Sequence, residues 1–138
     1  MDRIFLDANV LFSAAYRPDS GLERLWKLSD VELVTSEYAA EEARVNLAND
    51  AQRHRLSGLL ATTQVLPVIP TGTLASEVGL PVKDRPILLS AMEARATHLL
   101  TGDKEHFGKY FGREIGGVRI LPPGDYLRTV RRRKQGER

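Results

Sequence analysis

Two hydrophobic periods alternate along this chain. Short strand-like segments recur at residues 4–7, 31–35, 65–70, 98–101 and 118–121, and in the first of them Ile4, Phe5 and Leu6 form an unbroken apolar run. Runs without alternation predict strands buried on both faces of a parallel sheet, because a half-exposed strand would show polar residues at every second position. Helical patterns fill the intervals. One covers 10–16 and is broken by Pro18, Asp19, Ser20 and Gly21. A second, over 21–28, has Ser20 as its cap and Leu22, Leu25, Trp26 and Leu28 on its apolar face. A third is capped by Ser36 and reaches at least Leu47; the apolar residues Leu56, Leu59 and Leu60 allow it to continue, with or without a break near residues 49 and 50. Residues 71–83 read as an irregular, turn-rich connection. Asp84 opens a fourth helix, with Pro86 in its first turn and Ile87, Leu88, Ala91 and Met92 on one side. A short helix over 104–111 and a last one over 125–132 complete the series. Strands alternating with helices predict an α/β fold, a three-layer α/β/α sandwich around a central, mostly parallel sheet of about five strands.

Composition narrows the chemistry. The 138 residues, 42% hydrophobic and 28% charged, suit one globular domain rather than two or a disordered chain. Cysteine is absent, which excludes a disulfide framework, a thiolate zinc site and cysteine catalysis, and fits a cytoplasmic location. The opening MDRIFLD is not the pattern of a signal peptide, and no apolar stretch is long enough to span a membrane. The net charge of +2 conceals an asymmetry. Residues 128–138 hold Arg128, Arg131, Arg132, Arg133, Lys134 and Arg138 against Glu137, a balance of +5, which leaves −3 on residues 1–127. The expected organisation is a domain over 1–127 and a basic tail over 128–138. Such a tail serves either as a phosphate contact or as a solvated end.

Four acids stand where chemistry is done in such folds. Asp7 closes the first strand, so it falls at the carboxyl edge of the sheet, where open α/β sheets place ligands. It is equally well placed to cap the helix that follows. Asp103 follows the fourth strand through Gly102, and Asp84 begins a helix whose amide dipoles tolerate its charge. Glu42 lies too far inside its helix to be a cap, and its neighbour Glu41 points elsewhere. Gathered carboxylates repel unless a cation compensates, and hard oxygen donors suit Mg²⁺ or Mn²⁺, ions that work on phosphate esters.

The segments FLDANVLFSA, SEYAAEEARVNL, KDRPILLSAMEARATHLLTGDKEHF and VRILPPGDYL together resemble the PIN domain, a nuclease domain found in many bacterial toxin–antitoxin toxins. The resemblance covers roughly residues 3–127 and lies in the order and spacing of the blocks. It implies an RNA-cleaving α/β/α domain using Mg²⁺ or Mn²⁺, with Asp7, Glu42, Asp84 and Asp103 as its catalytic, metal-binding acids. Asn9, Thr101 and Glu105 match supporting positions. Glu105 stands where many relatives have Asp. Relatives often carry a second acid beside Asp84, whereas here its neighbours are Lys83 and Arg85. These, with Lys104 and Arg44, are the candidate RNA contacts. A cognate antitoxin and a homodimer, with residues 22–28 as a contact, are the partners the resemblance implies.

His54, His98 and His106 share no metal-binding spacing; His98 reads as structural, and His106 as lying at most near the rim. No nucleophile–base pattern or phosphate-cradling glycine loop is present. The leading expectation is therefore a metal-dependent endoribonuclease. The alternatives are a PIN-fold module that binds RNA or protein without cleaving, and a phosphate-responsive regulatory domain, which has no need of Glu42 near Asp7.

Overall fold

The computed structural model describes residues 1–67, 74 and 78–136. Its first strand, β1 (Asp2–Leu6), carries Ile4, Phe5 and Leu6 with no solvent exposure, as a strand covered on both faces requires. Helix α1 (Ala8–Ala15) follows directly. A single 3₁₀ segment (Gly21–Lys27) then replaces the expected α-helix, with Ser20 accepting from the Leu22 N–H. Trp26 packs from this segment, its indole N–H shared between Leu59 O and Thr63 Oγ1, both at 3.0 Å.

Strand β2 (Val31–Ser36) leads into α2 (Glu37–Asn46), and Ser36 is the cap, accepting from the Ala39 N–H at 3.1 Å. The break left open near residue 49 is real. Asn49 caps a separate α3 (Asp50–Leu60), and buried Gln52 holds the corner by accepting from Ala48 N–H and donating to Tyr16 O. Strand β3 (Gln64–Leu66) begins the run expected over 65–70, whose last residues, 68–70, lie outside those described. So do 71–73 and 75–77 of the expected irregular connection over 71–83; a short 3₁₀ turn (Val82–Asp84) precedes α4 (Arg85–Glu93).

Strand β4 (His98–Leu100), α5 (Lys104–Phe107) with a 3₁₀ turn after it (Gly108–Tyr110), and β6 (Val118–Leu121) occupy the expected places. Among the described residues the sheet has six strands, against about five expected. The addition is β5 (Glu114–Ile115), antiparallel to β6. Gly116 and Gly117 close that hairpin at φ +58° and +83°, which glycine adopts without strain. Helix α6 (Pro123–Gly136) starts two residues before the expected one and continues past it, so the expected boundary at 127/128 falls inside one helix.

The strand order is β3-β2-β1-β4-β6-β5, all parallel but for the last pair. The chain steps outward from β1 to β2 and β3, then returns to the other side of β1 with β4. The reversal leaves a crevice at the carboxyl ends of β1 and β4, the switch point at which such sheets bind ligands.

Candidate metal centre

Asp7 and residues 101–103 meet at this crevice because β1 and β4 are neighbours. The Thr101 hydroxyl donates to Asp7 Oδ2 at 2.8 Å and accepts from the Asp103 N–H at 3.1 Å. Asn9 Nδ2 donates at 3.2 Å to both Asp7 Oδ2 and Thr101 Oγ1, while Asn9 Oδ1 accepts from the Gly102 N–H at 2.7 Å. Asn9 and Thr101 thus clamp two loops around one carboxylate. The cap and the cluster are not exclusive: Asp7 is the N-cap of α1, its Oδ1 accepting from Ala8 N–H at 2.7 Å.

Asp7 is 4% exposed. Burial, only partly offset by the hydrogen bonds from Thr101 and Ala8 and reinforced by the charges of Asp84 and Glu42, pushes its carboxyl up to about 6. Asp84 ends the turn before α4 and is also buried, with no side-chain capping bond. Burial raises it as well, Asp103 adds to the effect, and Lys83 and His106 work against it. Its Oδ2 is buried with no hydrogen bond. Such an atom ordinarily costs stability unless something positive meets it.

Asp103 caps α5, with Oδ1 accepting from the His106 N–H at 3.1 Å. The cap turns the imidazole back toward Asp103 and Asp84. His106 Nδ1 lies 2.8 Å from Asp103 Oδ2 and 3.0 Å from Asp84 Oδ2. At Asp84 the contact is close without hydrogen-bond alignment, so Oδ2 stays unsatisfied. Asp84, Asp103 and His106 each bring a ligand atom within 4.8 Å of the others, the one such grouping among the described residues. His106 is therefore inside the cluster rather than at its rim. Glu42 faces the crevice from α2 and is exposed.

These residues line a cleft of about 720 Å³, with Asp7, Asn9, Glu42, Lys83, Asp84, Gly102 and Asp103 among its walls. Asn46, one helical turn beyond Glu42 and donating to its carbonyl, lines it too. Other expected residues stand elsewhere. Glu105 and Lys104 are exposed on α5 and do not line the cleft. Arg44 is exposed and paired with Glu41 at 2.5 Å. Arg85 turns to Leu80 O and Val78 O, holding the preceding loop. Lys83 is the expected cation that reaches the cleft wall.

The donors fit a divalent cation: two buried carboxylates with raised pKa values, one of them with an orphaned oxygen, and, among the described residues, no lysine or arginine in a salt bridge to either.

Fold and cleft together define an α/β/α protein with a PIN-like architecture and an acidic switch-point site. Among solved structures the chain is similar to the crystal structure of VapBC2 from Rickettsia felis bound to a DNA fragment from their promoter. The TM-score is 0.61 and the identity 16%, over 87% of this chain and 98% of that one. At that identity the likeness shows the fold alone. No family model matches the chain, and no curated protein matches its sequence.

Proposed function

We propose that this chain is a metal-dependent endoribonuclease that hydrolyses RNA phosphodiester bonds, the toxin of a toxin–antitoxin pair acting in the cytoplasm. The observation that carries the reading is that Asp7, Asp84 and Asp103 line one cleft at the β1/β4 switch point, with no lysine or arginine among the described residues in a salt bridge to any of them. Asp7, Asp84 and Asp103 would hold Mg²⁺ or Mn²⁺, with Glu42 across the cleft. When bound, the ion supplies an activated water and neutralises charge on the scissile phosphate. The chain does the rest. Asn9 and Thr101 hold Asp7 in one orientation, so the carboxylate does not reorganise as charge develops. Lys83, exposed at the cleft wall, meets an incoming phosphate. The VapBC2 structure to which this chain is similar was solved bound to a fragment of promoter DNA, which supports an antitoxin partner here; a homodimer is part of the same proposal. Arg128, Arg131, Arg132 and Arg133 lie on α6 and would add positive charge for RNA.

The test is cleavage of single-stranded RNA with Mn²⁺ or Mg²⁺, against chelator, by the wild type and by Asp7→Asn. Expected are activity that needs the ion and a loss on the order of 100-fold or more in the variant. RNA binding with no metal-dependent cleavage would instead establish the non-catalytic module.

A further inference from the structure

Building on the metal-site reading above, we propose that His106 is a nitrogen ligand of the bound ion, making this a mixed carboxylate–imidazole site that favours Mn²⁺ over Mg²⁺. Three observations converge on it. First, Nδ1 lies 2.8 Å from Asp103 Oδ2 and 3.0 Å from Asp84 Oδ2. Adjacent ligands on an octahedral ion with bonds near 2.1 Å stand about 3 Å apart. The separations are therefore those of neighbouring ligands on one ion.

Second, Asp84 is 8% exposed, and its Oδ2 is buried and lacks a hydrogen bond although Nδ1 is close. One ring N–H serves Asp103 and leaves Asp84 unserved. A cation at their meeting point satisfies both carboxylates and the ring nitrogen, with that nitrogen deprotonated.

Third, the ring's direction is set by the backbone. His106 is the third residue after the Asp103 cap, and its own N–H is bonded to that cap, so the side chain folds back toward Asp103 and Asp84. Glu105, which carries a carboxylate and would have kept the site all-oxygen, is exposed and outside the grouping of ligand atoms that Asp84, Asp103 and His106 form.

The consequence is selectivity. Mg²⁺ takes oxygen ligands and retains water, whereas imidazole suits first-row transition ions. Losing His106 should therefore weaken Mn²⁺ much more than Mg²⁺.

The experiment uses the full chain with Mn²⁺ alone as probe. Pulsed EPR of the Mn²⁺ protein should show coupling to a directly bound nitrogen that changes when histidine is ¹⁵N-labelled and disappears in His106→Gln and in His106→Ala. Calorimetric titration should show about a tenfold loss of Mn²⁺ affinity in both variants, with Mg²⁺ affinity within about twofold of wild type. A metal-free thermal melt confirms that each variant is folded. Mn²⁺ bound without histidine coupling, or equal losses for both ions, overturns the proposal and makes His106 a positioning residue for Asp103, leaving the metal site intact. Failure of the wild type to bind Mn²⁺, or binding that survives both Asp84→Asn and Asp103→Asn, overturns the metal-site reading with it.

Discussion

Strand β1 has an aspartate at each end, and the two are treated in opposite ways. Asp2, at its start, accepts the Tyr126 hydroxyl at 2.6 Å and the Arg133 guanidinium at 3.0 Å. Burial is the strongest single influence on it and would raise its pKa, but the hydrogen bonds from Tyr126 and Arg133, with the nearby charges of His98 and Arg133, outweigh it and hold the carboxyl below its usual range. Asp7, just past the other end, has neutral donors only, and burial prevails. One carboxylate comes with a cation from its own chain and ties α6 to the sheet. The other is kept dry, oriented and uncompensated. A structural acid is finished by folding, whereas a functional one is left wanting a charge from outside.

The largest effect expected from this contrast is on stability against pH in chelator. The native pKa of Asp7, about 6, lies above its ordinary 3.8. Between those values the native state binds more protons than the unfolded one, so stability falls as pH rises through the window and is flat above it. The loss is about 3 kcal/mol. Asp84, raised too, acts in the same direction, and His98, lowered by burial, acts in the opposite one. Both titrate in Asp7→Asn as well, so the difference between wild type and variant in urea melts at pH 4 and pH 7 isolates Asp7. Saturating Mn²⁺ should restore the wild type at pH 7 and leave the variant much less affected. A difference that does not change with pH would mean that Asp7 is already compensated.

Much of this contrast was legible from residue order. The continuous apolar run of Ile4, Phe5 and Leu6 marked β1, short β-rich segments marked β2, β4 and β6, and an acid following β1 and β4 had to arrive at the carboxyl edge. The hairpin of β5 and β6 was missed although Ile115-Gly116-Gly117-Val118 carries its signal, because a two-residue strand offers no period to read. His106 was set at the rim because histidine spacing says nothing about a site assembled from two distant loops. A signal did exist: the third residue after a helix cap faces the cap, so Asp103 and His106 had to meet, whereas Glu105 points away. Arg44 and Arg85 were plausible RNA contacts by position; the pairing of Arg44 with Glu41 is an i,i+3 helix pair that the sequence did offer, whereas the Arg85 partners Leu80 and Val78 depend on the course of the preceding loop.

The partnered end can be weakened without touching the cleft. Tyr126 is fully buried, packs edge-on against His98 at 5.0 Å and donates to Asp2. Tyr126→Phe keeps the ring and removes the donor to a charged acceptor, which should cost about 1.5–2 kcal/mol at pH 7 in urea denaturation. The depressed pKa of Asp2 contributes stability that is complete above 3.8 and disappears as pH falls through its native value. The variant should therefore lose less stability than wild type below pH 4, the reverse of the Asp7 behaviour. Metal-dependent cleavage should be unchanged within about twofold, since the two ends of β1 share no partner.

Arg133 tests the weaker half of the same network. Its guanidinium completes the pairing of Asp2, yet its side chain is 54% exposed, so solvent screens most of the attraction. Arg133→Ala should cost about 0.5 kcal/mol in low salt, a quarter to a third of the Tyr126 effect. The cost should nearly vanish in 1 M salt, where the screening length is about 3 Å, while the Tyr126→Phe cost, arising from a buried hydroxyl, should persist. Because Arg133 and Tyr126 converge on the same oxygen, Asp2 Oδ2, the double variant should cost more than the two single costs combined or less, by a few tenths of a kcal/mol, and not their plain sum. Strict additivity in a double-mutant cycle would show that Arg133 reaches Asp2 without sharing its charge with Tyr126, and that the hydroxyl alone compensates the acid at this end of β1.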